Sequence, residues 1–458
     1  MIYKGEFHSY TSLSLFILVV WDCNSHFIFF DYRTVTDGAK TNAQFSYDSP
    51  IHSDLEAKLK QLLIKLAGAN KIIGIQVCAY KDGKVVIDSV AGVLGENDPR
   101  PVQHDSLFPV FSTTKGIAAG MVHWLVDNGK LKLDENIANI WPGFGVNKKD
   151  SIKVHHVLNH TSGLHNANSG SSSYDLNWKA CLNGVATATP ESEPGQLQLY
   201  HYSSFGFLCG GIVQHASGKK FQEVLDEAIV HPLNIEGDLY IGIPPGVESR
   251  LATLSADMEE VQKIQSAIGN ARIDLPSSFQ PAEIAKSFPV FAHIFSSLEV
   301  RQAIIPSANG HCTARALARY YATLATGGIV PPPYSPSNDT TTQKNDGVKR
   351  IFHNPKIHDQ FLGVGDYADL TLLNGKFGLG FKRYDSKEGI TGFGHSGMGG
   401  SVGFCDIKHN FAIAVTLNKM ALGAVTGQVV HLLCSELNVP VPLDYAAFVE
   451  QAPDMKLN

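Results

Sequence analysis

Phe108-Pro-Val-Phe-Ser112-Thr-Thr-Lys115-Gly116 sets a serine three residues ahead of a lysine at the opening of an apolar, helix-forming run, Gly116 to Asn128. At that spacing a hydroxyl and an amine share one helical face within hydrogen-bond reach. Such a lysine can activate the serine as a nucleophile, and the free amides and dipole of a helix N-terminus favour the negative charge that develops on attack. Read alone, S-x-x-K more often describes an N-cap serine beside a solvated lysine than a nucleophile.

Outward from this segment, the N-terminal side predicts a helix over Ser53 to Leu66, with Leu55, Leu59, Leu62, Leu63 and Leu66 at helical spacing. Two β-type runs follow, Ile72 to Tyr80 and Lys84 to Ala91, joined through Lys81-Asp82-Gly83, the turn chemistry of a hairpin. On the C-terminal side, helical segments alternate with polar loops to about Thr326, with sparse strand signals. A Pro/Ser/Asn/Thr-rich stretch, Pro331 to Asp346, reads as a mobile loop. Strand patterns return at Ser401 to Ile407 and Phe411 to Leu417, before an apolar helix around Val425 to Leu437. Strands at both ends with helices between predict an α/β (α+β) unit: an antiparallel sheet completed by the two ends of the chain and flanked by helices. The domain is expected over 51–440, its sheet drawn from about 51–115 and 345–440, with an inserted all-helical region at about 116–330. Residues 1–50 form an N-terminal extension and 441–458 a tail.

Two further segments raise the weight of Ser112 and Lys115. Glu193-Pro-Gly-Gln-Leu-Gln-Leu-Tyr200-His-Tyr202 runs from a turn through polar and aromatic residues into a buried helix. Gly392-Phe-Gly-His395-Ser396-Gly397-Met398-Gly-Gly400 is a Gly-rich strand edge where backbone can approach a ligand closely. Serine with lysine, then a loop tyrosine, then a basic residue in a B-x-G strand is the order of the penicillin-recognising serine hydrolases. With Leu158-Asn-His-Thr-Ser-Gly-Leu164 and Ala308-Asn-Gly-His-Cys-Thr-Ala-Arg315, the chain resembles the serine β-lactamase-related family, on the branch shared by class C β-lactamases, penicillin-binding proteins and esterases. The resemblance covers about 53–437. It is also similar to the β-lactamase-like domain of plant atypical-kinase fusion proteins, although nothing kinase-like is present.

The resemblance implies a β-lactamase/transpeptidase-like fold and an acyl-enzyme mechanism without a cofactor or metal, on a small-molecule acyl substrate. Ser112 matches the acylated nucleophile, Lys115 the amine that shares its proton, and Tyr200 the tyrosine that serves as general base and then acid, with Lys115 supplying the field that would ionise the phenol. The amides of Ser112 and Met398 match the oxyanion hole. Ser396 and Gly397 belong to the substrate-binding strand motif. Tyr202 stands where lactamases carry asparagine, and His395 where they more often carry lysine. A largely neutral imidazole offers an anionic substrate less than an ammonium does. The departures favour an esterase over an antibiotic-destroying enzyme. A catalytically silent binding or scaffold protein on the same fold is the alternative, opposed by Ser112, Lys115 and Tyr200 occurring together.

Other patterns carry little weight. Gly399-Gly-Ser401-Val-Gly403 fits G-x-S-x-G but leads into a strand rather than a strand-to-helix elbow. His155, His156, His160 and His165 lack the arrangement of a hydrolytic zinc site. The seven cysteines, Cys23, Cys78, Cys181, Cys209, Cys312, Cys405 and Cys434, have no CxxC spacing and read as reduced core thiols, which favours an intracellular setting. A formal charge of -6 shows no footprint for nucleic acid or an anionic membrane. At the N-terminus, Leu13 to Trp21 is apolar but too short to span a bilayer and lacks the basic cluster and cleavage site of a signal peptide, which leaves three readings open, a signal peptide, a loosely attached hydrophobic tail and a mis-specified start of the chain, the last two favoured together.

Overall fold

The computed structural model describes residues 47, 49–167, 176–258, 262, 288–332, 348–421 and 423–446. The N-terminal apolar run, Cys23, and most of the Pro331 to Asp346 stretch and of the 441–458 tail lie outside the described residues.

Helix α1 (Asp54–Gly68) is capped at its start. The Ser53 hydroxyl accepts from the Glu56 amide, satisfying one orphan donor of the first turn, and the Glu56 carboxylate accepts from the amide of His52, which precedes the cap. Asp54 and Glu56 in the first turn and Lys65 in the last complement the helix dipole. Its buried face is Leu59, Leu62, Leu63 and Leu66, each worth roughly 1.5–3 kcal/mol of burial. Strands β1 (Gly74–Lys81) and β2 (Lys84–Gly95) form the expected hairpin, with Asp82 at φ 52 and Gly83 at φ 74 in the left-handed turn positions. Strand β3 (Asp98–Pro101) adds an edge. Then come β4 (Phe108–Pro109), α2 (Thr114–Asp127), α3 (Val154–Leu158), α4 (Ser204–Ser217), β5 (Leu239–Ile241), β6 (Ser255–Ala256), β7 (Gly310–Cys312) and α5 (Ala314–Ala325). The chain returns through β8 (Lys382–Ser386), β9 (Gly389–Ser396), β10 (Val402–Asp406), β11 (Phe411–Leu417) and β12 (Lys419–Met420) to α6 (Ala424–Glu436).

The main sheet has seven strands in the order β3-β2-β1-β11-β10-β9-β8, and its pairings are antiparallel. β1 pairs with β11 from Ile75↔Leu417 to Lys81↔Phe411, which joins the two ends of the chain. Period-2 alternation separates two cores. Val77, Ala79, Ile413 and Val415 face the leucines of α1 and Val429 and Leu433 of α6. Cys78, Tyr80, Ala412 and Ala414 face the other way, onto Leu317, Tyr320 and Tyr321 of α5 and the helical region beyond. Small alanines on that face leave room for two tyrosine rings, which are fully buried.

The helical region is not purely helical. A three-stranded sheet, β4-β7-β5, and a parallel pair, β12 with β6, run through it. Strands of two or three residues are too short to show alternation in a sequence, and they exist because neighbours from distant chain segments complete their hydrogen bonds. The six cysteines among the described residues are buried. No helix among the described residues is long and apolar enough to cross a membrane.

Candidate active site

Ser112 sits in the tight turn that leads from β4 into α2, two residues ahead of the helix, and the Lys115 amide donates to its carbonyl at 3.0 Å. The turn is held by neighbours. Thr114 donates its hydroxyl to the Phe111 carbonyl at 2.5 Å and accepts from the Gly310 amide at 2.8 Å. Thr113 donates to the carbonyls of Ser401 at 3.2 Å and His395 at 3.5 Å, which ties the head of α2 to the ends of β9 and β10. Phe111 takes φ 46, a left-handed conformation that costs a non-glycine residue roughly 1–3 kcal/mol and is characteristic of functional turns. Opposite it, a Cβ on Gly397 would lie 2.3 Å from the Val110 carbonyl oxygen, so only glycine lets this strand end meet the serine turn.

Lys115 is fully buried. Its Nζ lies 3.0 Å from Ser112 Oγ and 2.8 Å from each of two carbonyl oxygens, those of Tyr202 and Ser307. Burial lowers its pKa to about 7. Burial holds the Tyr200 phenol above its ordinary value, against the lowering influence of the nearby Ser112 hydroxyl. Nζ stands over the Tyr200 ring, 4.9 Å from its centroid. Burial thus acts on both groups toward their uncharged forms.

Around Tyr200 the rings close in. Phe377 stacks at 5.4 Å, His160 lies at 4.8 Å, His395 at 6.0 Å, and Tyr202 meets it edge-on at 4.9 Å. Tyr202 itself is 38% exposed. His395, at the end of β9, is buried, and its Nδ1 lies 3.0 Å from the Ser396 carbonyl oxygen. Desolvation and then the proximity of Lys115 lower its pKa to about 3, so the imidazole is neutral. Beyond it the chain turns: the Gly397 amide donates to the Ser401 carbonyl. Among the described residues no backbone acceptor engages the amide of Ser112 or of Met398. Ser396 closes β9, where it pairs with Val402 of β10. The Met398 side chain packs with Phe111, Leu254, Ala292 and Met420.

Ser401 is buried, and its hydroxyl accepts from the Leu417 amide inside the sheet, so the G-x-S-x-G fit is structural. The histidine cluster separates into individual roles: His155 approaches the Leu370 carbonyl through Nδ1, and His156 Nδ1 accepts from the Lys153 amide. Among the described residues no group of three or more His, Cys, Asp or Glu could hold a metal ion. Phe377, His160 and the Ser307 carbonyl reach the site without having been singled out for it by the sequence reading. Phe377 stands in Gly375-Lys-Phe377-Gly-Leu-Gly-Phe381, whose glycines were the available signal; a backbone carbonyl leaves none.

This arrangement on this fold defines a class, the serine hydrolases built on an antiparallel sheet with a lysine beside the serine. The Beta-lactamase family model matches residues 59–428, and the chain belongs to that family. It is 29% identical over 353 residues to Esterase/beta-lactamase LipL of Mycobacterium tuberculosis (strain ATCC 25618 / H37Rv), covering 76% of this chain and 77% of that protein. Among solved structures, a penicillin-binding protein homologue from Caulobacter crescentus shares 28% identity over 81% of this chain and 94% of its own, with a TM-score of 0.63. A family VIII carboxylesterase superposes with a TM-score of 0.68 over 84% of this chain and 98% of its own, at 24% identity, a likeness of fold.

Proposed function

We propose that the protein is an esterase that cleaves small, uncharged acyl esters through an acyl-enzyme on Ser112. The observation that carries this reading is the coordination of Lys115. A neutral amine has two N–H donors and one lone pair. The ammonium form donates to all three neighbours, Ser112 Oγ and the carbonyl oxygens of Tyr202 and Ser307; in the neutral form the two carbonyls keep the donors and the lone pair faces Ser112 Oγ. Lys115 then accepts the Ser112 proton as the oxygen attacks the ester carbonyl, the amides of Ser112 and Met398 hold the oxyanion, and Tyr200 delivers a proton to the departing alkoxide. The Lys115 ammonium then returns its proton to the Tyr200 phenolate, which restores the neutral amine and phenol; water attacks the acyl-enzyme with Lys115 accepting its proton, Tyr200 protonates the departing Ser112 oxygen, and a second return of the proton from Lys115 to Tyr200 leaves the enzyme unchanged as the acid is released.

A pH profile tests the base. A lysine whose pKa is lowered to about 7 is protonated below that value and cannot accept. The value of kcat/KM on a neutral ester therefore climbs as pH rises through about 7. A profile flat between about pH 5.5 and 8.5 rules Lys115 out as the group that must be deprotonated.

The substrate class rests on His395, whose neutral ring gives a substrate carboxylate no charge to bind. Short-chain p-nitrophenyl esters are expected to turn over faster than a chromogenic cephalosporin. His395→Lys narrows the gap, by on the order of tenfold for one charge-assisted hydrogen bond. Efficient cephalosporin turnover by the unmodified protein, with no ester turnover, contradicts the assignment.

A further inference from the structure

His160 takes φ 61, a left-handed conformation that histidine adopts more readily than β-branched residues do, and it is buried. It grips the tyrosine loop on both sides of Tyr200. The Leu199 amide donates to the His160 carbonyl at 3.0 Å, and the His201 amide donates to His160 Nδ1 at 3.2 Å. Accepting at Nδ1 places the ring proton on Nε2, which has no hydrogen-bond partner among the described residues. The ring itself fills the space between Tyr200 at 4.8 Å, Phe205 at 4.9 Å and Phe377 at 4.5 Å. Tyr200 is thus fixed at its two neighbouring peptides and along one ring face by one side chain and its own backbone. His201 is in turn held through Nε2 by the Ser162 hydroxyl at 2.7 Å, so the segment His160 to Ser162 cradles the whole turn.

We infer that His160 is a positioning residue for Tyr200: it sets the phenol against Ser112 by holding the peptides on either side of it. This rests on the reading of Tyr200 as the proton donor. The requirement on residue 160 is specific, an acceptor at the δ position of a residue that tolerates positive φ. Asparagine meets both conditions, because its Oδ1 occupies the place of Nδ1 and it adopts the left-handed region. Glycine meets only the second, and glutamine carries its amide one bond too far.

The experiment is a cycle on the purified full chain with one p-nitrophenyl ester. His160→Gly is expected to lower kcat on the order of 10- to 100-fold with KM little changed, the scale of a misplaced catalytic group. His160→Asn restores kcat to within about fivefold of the unmodified protein, and His160→Gln does not. In a Tyr200→Phe background, His160→Gly adds no further loss in kcat, because the group it positions is gone. Melting curves of the variants establish that each compared protein is folded. Equal losses from His160→Gly in both backgrounds, or a His160→Asn as impaired as His160→Gly while still folded, overturn the inference. A Tyr200→Phe that keeps full turnover overturns the proton-donor reading itself, and is recognised by that single variant without reference to His160.

Discussion

Ser112→Ala is expected to abolish ester hydrolysis, by a factor on the order of 10,000 or more, while the protein stays folded. The loss is large because no neighbouring hydroxyl can substitute for the one beside Lys115. The structural cost is small. Ser112 is not the N-cap of α2, and its backbone bond to the Lys115 amide is independent of its side chain. Removing Oγ frees one contact of Lys115, worth about 1 kcal/mol. Labelling by a serine-reactive fluorophosphonate should vanish together with turnover. Ser401→Ala is the control: its hydroxyl serves the Leu417 amide within the sheet, so the variant should lose roughly 1–3 kcal/mol of stability and retain label and activity. The reverse pattern, with Ser401→Ala inert and Ser112→Ala active, would overturn the assignment of the nucleophile. A protein that takes no label in any form would support the silent binding reading.

Tyr200→Phe should lower kcat on the order of 100- to 10,000-fold, the range expected for loss of a proton-transfer group. The phenol is the only part removed, and the ring contacts with His160 and Phe377 survive. Tyr202→Phe should act differently. Its backbone carbonyl, which fixes Lys115, is unaffected, and its exposed ring rests edge-on against Tyr200. A change mainly in KM, within about tenfold, is the expected result. Measuring both variants on one ester separates the roles; a collapsed kcat for Tyr202→Phe beside a near-normal one for Tyr200→Phe would exchange them.

Much of the architecture was legible because it rests on local periodicity. The leucines of α1, the Asp82-Gly83 turn and the alternation in β1 and β11 each encode a buried face within a few residues. The proximity of Ser112 to Lys115 was legible for the same reason: three residues at the head of a helix determine it. The motif order from Ser112 to Tyr200 to His395 carried the family, although no local rule says that residues 88 and 283 positions beyond Ser112 meet it in space. The short strands β4 to β7 were not legible, since a strand of two or three residues has no period and depends on partners from elsewhere.

What the tertiary structure alone decided is the state of the groups. The sequence by itself determined which side chains could do acyl chemistry, an amine, a phenol and an imidazole near a serine. It could not determine which of them is charged, because that depends on water being excluded by segments as distant as Phe377 and Ser307. Burial acts on both groups toward their uncharged forms, lowering Lys115 to about 7 and holding Tyr200 up. Backbone groups surround the site: carbonyls of Tyr202 and Ser307 on the amine and the carbonyl of His160 on the tyrosine loop. Every residue but proline carries the same amide and carbonyl, so only the folded path of the chain distinguishes those that serve the chemistry from those that do not.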